Sequence, residues 1–208
     1  MKSFRRYFLH RIRTHYPDQE ADIVLQTDSN YLRIARDLTF ATTSRNPLDK
    51  RLDFSAYFLA FIMTLDALDE SFEKIRLVCL EVVMEYVRPK NKLHHAFKRF
   101  VPKLIGTWVG KVLVKQLHKR VSVNQNKEGF VANIITDKSE TFGLGYGVDI
   151  VECGICKLFK KHRFDKYASL LCEVDEITSN LAGLKLIRTG TIANGAKKCD
   201  FRYQEITD

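Results

Sequence analysis

Through the first 120 positions, apolar residues return every three or four places. Phe54, Phe58, Phe61, Ile62 and Leu65 form one stripe; Ile75, Val78, Cys79, Val82 and Tyr86 form another. That period predicts helices, each with one apolar face. Asp69 stands where it would cap the second helix. Glu70 and Glu73 fall in its first turn, where the helix dipole favours negative charge. Arg88-Pro89 interrupts the pattern. Leu93, Phe97, Val101, Leu104, Trp108 and Val112 then make a third stripe, and Pro102 is expected to kink or split its helix. Residues 42–46 read as a loop.

Beyond Val121 the period changes. Residues 122–128 are a polar linker, and residues 129–136 read as a strand. Over 143–151, Leu144, Tyr146, Val148 and Ile150 alternate with Gly143, Gly145, Gly147 and Asp149, which predicts a second strand. A short helix over 154–161 follows. A longer one over 164–181 is expected to bury Tyr167, Leu170, Leu171, Val174 and Leu181. Two more strands, 184–192 and 198–206, are joined by Ala193-Asn194-Gly195, where Asn and Gly suit positive φ. No β-α-β alternation occurs, which excludes a doubly wound sheet. The expected fold is α+β: an N-terminal helical bundle (1–121) packed on a C-terminal antiparallel sheet of about four strands (129–206, β-β-α-β-β). Residues 1–208 are read as a single domain.

Charge sharpens the picture. The formal net charge is +9, and positions 88–120 hold ten Lys or Arg with no Asp or Glu. Nucleic acid, an acidic membrane surface or an anionic small molecule are the partners such a segment suits. Lys111, Lys115 and Lys119 recur at helical spacing opposite a core stripe containing Trp108 and Val112, with no interleaved aromatic–basic pattern. A solvated helix face is the expectation, followed by attraction of small anions; nucleic acid is not an expected partner. No apolar run approaches the ~18 residues of a membrane span, and the first residues lack a signal peptide's apolar core. No membrane partner and a cytoplasmic location are therefore expected.

Four of the five cysteines, Cys153, Cys156, Cys172 and Cys199, lie from position 153 onward. An odd total in a reducing compartment argues against a disulfide framework. Cys172 and Asp175 share a helix face with Ala168 and Ser179, small or polar residues that leave room for a pocket or a close neighbour. Cys153 stands where a strand turns into a helix, so free backbone N–H groups there would favour its thiolate. Alternation sets Cys199, Phe201 and Tyr203 on one face of the last strand, with Asp200, Arg202 and Gln204 on the other. Plain burial is the simplest account of each thiol. Zinc is a further one: Cys153-Gly-Ile-Cys156 is a CxxC that Cys172 and Cys199 could complete, although a second CxxC is missing. Gly143-Leu-Gly-Tyr-Gly147 lacks the helix a phosphate loop requires. Adjacent His94 and His95 point about 100° apart on a helix and cannot share one ion.

Taken together, several spaced segments carry a resemblance. They are Asp149-Ile-Val-Glu-Cys153, Leu170-Leu-Cys172-Glu-Val-Asp175, Leu186-Ile-Arg188-Thr-Gly-Thr191 and Gly195-Ala-Lys-Lys-Cys199-Asp-Phe-Arg-Tyr203. Over residues 129–204 the chain resembles the L-2-amino-thiazoline-4-carboxylic acid hydrolase family. Gly190 falls in a variable slot of that pattern, and Cys156 lies outside it. The closing segment is also faintly similar to vinyl-reductase-type small-molecule-binding domains, which often form dimers; a homodimer is thus among the expected assemblies.

The family resemblance implies a hydrolase acting on a cyclic amidine, opening L-2-amino-thiazoline-4-carboxylate to N-carbamoyl-cysteine without a cofactor. It implies Cys153 or Cys172 as nucleophile and Asp175 as proton donor or orienter. Arg188 or Arg202 would clamp the carboxylate, and Cys199 would line the pocket, with Asp200 and Tyr146 completing the substrate-binding set. The alternative on the same scaffold is a ligand-binding or sensor domain without turnover, with zinc on Cys153, Cys156, Cys172 and Cys199 as a structural clamp.

Overall fold

The computed structural model describes residues 3–89, 100, 104–105 and 107–206. Leu93, Phe97, Val101, Pro102 and the pair His94–His95 lie outside the described residues. The helical part comprises α1 (Arg5–His15), α2 (Glu20–Ala35), the short α3 (Thr39–Thr43), α4 (Arg51–Asp66) and α5 (Phe72–Val87). In α4 the expected stripe widens to the whole circumference: positions 55–62 are buried without a break, the signature of a helix enclosed by neighbours. α5 buries Ile75, Val78, Cys79 and Val82 as its spacing predicts, while Tyr86 reaches the surface. Its cap is Ser71 rather than Asp69. The Ser71 hydroxyl accepts the Lys74 N–H at 3.2 Å, and Asp69 takes a left-handed φ of 57° in the turn before it.

The next described helix, α6 (Trp108–Val121), reverses the expected faces. Gly110 and Val121 are buried and Val114 and Leu117 partly so, whereas Trp108 is 79% and Val112 40% exposed, with Val109 and Leu113 also in solvent. Periodicity identifies an apolar face but not what covers it. Here the choice follows Gly110: a Cβ there would fall 2.0 Å from the Leu104 carbonyl oxygen. The absent side chain lets the chain at 104–105 lie against α6. Lys111, Lys115 and Lys119 are exposed, as expected.

The sheet consists of β1 (Val131–Ile135), β2 (Gly147–Glu152), β3 (Leu184–Ile187) and β4 (Cys199–Glu205) in the order β1-β2-β4-β3, every pair antiparallel. The fold class is α+β. β2 begins later than the alternation suggests. Phe142, Gly143 and Gly145 have φ of 50°, 84° and 73°, so this stretch turns instead of extending. Two helices, α7 (Gly154–Lys161) and α8 (Ala168–Leu181), separate β2 from β3.

Register gives the sheet two unlike faces, because paired residues of antiparallel strands point the same way. Ala132, Ile150 and Cys199 form one row and Ile134, Val148 and Phe201 the next, all toward the core. Asn133, Asp149 and Asp200 point oppositely. On that polar face Lys198 and Arg202 donate to Asp149 at 2.6 and 2.8 Å.

Contacts between the helical and β-rich parts are specific. The N–H of Phe130 donates to buried Asp49 and its C=O accepts from buried Asn46, both at 2.9 Å. Arg76 of α5 makes a two-point pair with Glu173 of α8, at 3.0 and 2.7 Å.

Candidate active site

β2 ends at Glu152 and α7 begins at Gly154, which makes Cys153 the N-cap of α7. Gly154 permits this close turn: a Cβ there would lie 3.0 Å from both the Phe130 ring and the Glu128 carbonyl oxygen. An N-cap side chain faces the unpaired N–H groups of the first turn. No hydrogen bond from the Cys153 side chain caps the helix, but the N–H groups of Ile155 and Cys156 and the nearby Cys156 thiol favour negative charge on its sulfur. That thiol donor contributes most, and with the backbone donors and the charge of Arg51 it outweighs burial. The Cys153 pKa falls to about 7.

The neighbouring thiols behave oppositely. Cys156 is pushed up by donating to Cys153 and by burial. Cys172 of α8 is pushed up to about 12, by burial and by the adjacent Asp175 charge. Burial also raises Cys199, although its sulfur accepts the Ile192 N–H at 3.2 Å. One acidic thiol therefore sits among three that stay protonated at neutral pH.

Charge is supplied from three elements. Arg51, in the first turn of α4, donates through Nη2 to Asp175 Oδ1 at 3.0 Å. Arg188, just past β3, holds Nη1 3.7 Å from Asp175 Oδ2 and donates through Nη2 to the Cys172 carbonyl at 2.9 Å. Its guanidinium carbon lies 5.7 Å from the centre of the Phe201 ring. Arg188 Nη1 is buried with no hydrogen-bond partner among the described residues, as is the Thr191 hydroxyl. Buried donors are ordinarily satisfied, so an orphaned one marks a place for an acceptor. Tyr146 and Tyr203 stack with ring centres 6.0 Å apart, and burial raises both phenols. Arg51 also lines a cavity of about 280 Å³ between α4 and α8, with Ser55, Ile155, Leu171, Val174 and Thr178.

The structure thus brings Cys153, Cys156, Cys172, Asp175, Arg188, Cys199 and, through Tyr203, Tyr146 to the core face of the sheet. Arg202 and Asp200 lie on the other face. Arg202 is engaged by Asp149. Asp200 accepts the Thr189 and Gly190 N–H groups, each at 3.0 Å, and fixes the turn after β3. Arg51 has no signal in the sequence, standing 124 positions from its partner. Tyr203 had one, since it shares strand parity with Cys199. Among the described residues no group of three or more His, Cys, Asp or Glu is arranged to hold a metal ion. The Cys199 sulfur is engaged by the Ile192 N–H.

Chemically, the arrangement offers a thiolate at a helix N-terminus, a carboxylate beside Cys172 and two guanidinium groups paired with that carboxylate, the equipment of a nucleophilic site for an anionic electrophile. The sequence model of the L-2-amino-thiazoline-4-carboxylic acid hydrolase family matches residues 56–203. The chain belongs to that family, and the match runs well into the helical part, through most of α4 and all of α5. No curated protein and no solved structure matches the chain.

Proposed function

We propose that the protein is a hydrolase that opens L-2-amino-thiazoline-4-carboxylate, or a close cyclic isothiourea, to N-carbamoyl-cysteine. The observation that carries this reading is the acidic Cys153 thiol, held at the N-terminus of α7 in a group containing Asp175 and the orphaned Arg188 Nη1. Cys153 is preferred over Cys172 as nucleophile because only the former is ionised near neutrality.

In this reading the Cys153 thiolate adds to the ring carbon between nitrogen and sulfur of the protonated amidine. The carbon–sulfur bond then breaks, and the departing sulfur takes the proton of the Cys156 thiol. Water adds to the enzyme-bound isothiouronium carbon and returns a proton to Cys156. Cys153 leaves as thiolate, and the protonated urea gives its extra proton to solvent. Asp175 orients the amidine N–H groups, and Arg188 takes the substrate carboxylate.

Purified protein given the thiazoline acid should release free thiol and N-carbamoyl-cysteine. Cys153→Ser should lower kcat by at least about a thousandfold, and Asp175→Asn by about a hundredfold. Full activity in both variants would overturn the assignment. Burial of Cys153 and Cys199 favours the second reading, a ligand-binding domain. Binding of the thiazoline acid without any turnover would select it.

A further inference from the structure

We propose that the cavity between α6 and the edge of β1 is a second binding site, for an anion with an aliphatic body such as a medium-chain carboxylate or alkyl phosphate. The cavity measures about 570 Å³, within the roughly 300–1,000 Å³ typical of small-molecule sites. None of its lining residues belongs to the thiol group.

The lining divides by chemistry. Ile105, Val114, Ile134 and Leu144 supply an apolar wall. Lys111, Lys115 and Lys138 supply three ammonium groups, and no Asp or Glu is among the lining residues. Among the described residues, none of these lysines has a carboxylate partner, so their charge is free for a ligand. His118 adds a ring nitrogen. Its Nδ1 accepts the Ile134 N–H at 3.2 Å, which leaves Nε2 as the donor of the ring. Gly110 holds the site open by letting Leu104 and Ile105 cross close to α6, which places Ile105 as part of the wall.

The same features select the ligand class. Apart from the His118 imidazole, whose Nδ1 is engaged by Ile134, the lining offers no ring on which a base could stack. Without a carboxylate, the lining has no acceptor for ribose hydroxyls of the kind that dinucleotide sites supply. An alkyl chain against the wall with one anionic head among the lysines satisfies both halves. The site also accounts for part of the basic segment at 88–120, which the thiol chemistry leaves unused.

The test uses the intact protein with sodium decanoate and decyl phosphate, kept below their micellar concentrations. Trp108, the single tryptophan of the chain, lies three residues from Lys111 and reports binding by fluorescence; calorimetry gives the stoichiometry. One saturable site per chain is expected, with affinity falling as salt rises. Decanol should bind at least about tenfold more weakly, and Lys111→Gln, Lys115→Gln and Lys138→Gln should each cost about fivefold. These surface variants should keep both the circular dichroism and the thiazoline-acid activity of the parent.

No saturable binding would overturn the proposal, as would decanol binding equally well, lysine variants binding like the parent, or inorganic phosphate alone binding as tightly. Vesicles of phosphatidylglycerol and phosphatidylcholine separate a free ligand from a bilayer headgroup. Retention on the anionic vesicles with no binding of free decanoate would assign the lysines, with exposed Trp108, Val109, Val112 and Leu113, to a membrane surface instead.

Discussion

Arg51 Nη2 donates to Asp175 Oδ1 at 3.0 Å across 124 positions of sequence. The donor opens α4 and the acceptor belongs to α8, so the helical part places a charge in a group otherwise built from the sheet and its two helices. Arg51 also favours the Cys153 thiolate. Arg51→Gln should therefore lower kcat at neutral pH by about tenfold or more and move the acid-side limb of the pH–rate profile to higher pH. Arg51→Lys should restore part of both effects. An unchanged profile would limit Arg51 to joining the two parts.

Thiol reactivity gives a direct reading of the Cys153 environment. Only the thiolate reacts, so alkylation by iodoacetamide should accelerate as pH rises through about 7. Cys156→Ala removes the largest favourable contribution and should move that midpoint up, toward the ~8.5 of an ordinary thiol. Cys172, pushed up to about 12, should stay unmodified at pH 7. Peptide mapping of the alkylated protein distinguishes the two.

The two arginines that the motifs left as alternatives should now separate. Arg188→Gln removes the orphaned donor beside Asp175 and is expected to raise KM for the thiazoline acid by about tenfold with a smaller change in kcat. Arg202→Gln breaks a pair with Asp149 on the opposite face. It should lower Tm while leaving KM unchanged. The reverse outcome would put the substrate carboxylate on the polar face.

Acid sensitivity follows from the same polar face. Burial acts to raise the Asp149 carboxyl, but hydrogen bonds from Arg202 and Lys198 prevail and hold it below the usual carboxylate range. A carboxyl whose pKa is lower folded than unfolded stabilises fully above the unfolded value of about 3.9, and loses that contribution as pH falls through the depressed one. Asp149→Asn should lower Tm at pH 7 and flatten the decline of Tm below about pH 4. Equal acid dependence in parent and variant would remove this pair from the account.

Much of this architecture is legible in the sequence, for identifiable reasons. Ile75, Val78, Cys79 and Val82 announce their helix because only one side of α5 is covered, so burial and period coincide. The faces of β4 are legible because Cys199, Phe201 and Tyr203 alternate strictly with the polar residues Asp200, Arg202 and Gln204. The start of β2 is not, because glycines alternating with apolar residues mimic a strand while Gly143 and Gly145 take positive φ. Trp108 misleads because a stripe records amphipathicity and not its partner. Cys153, Cys172, Asp175 and Cys199 lie in motif segments; Arg51 enters the group only through tertiary packing.

Asp49 ties the loop before α4 to the start of β1. Its carboxylate accepts from Phe130 N at 2.9 Å and from the Ser44 hydroxyl at 2.6 Å. Asp49→Ala would leave buried donors unpaired and should cost about 2–4 kcal/mol, seen as a lower urea midpoint with an unchanged slope.

The Phe130 clamp has a consequence for modularity. Its N–H and C=O find their partners 81 and 84 residues earlier, so the motif-bearing half completes its first strand with groups borrowed from the helical half. A piece cut at 129–206 would carry every recognisable motif yet lack Asn46, Asp49 and Arg51. Such a piece is expected to stay unfolded when expressed alone. The smallest heritable unit of this fold is then the chain with both halves, and grafting the cysteine motifs onto another scaffold would carry the letters without the geometry.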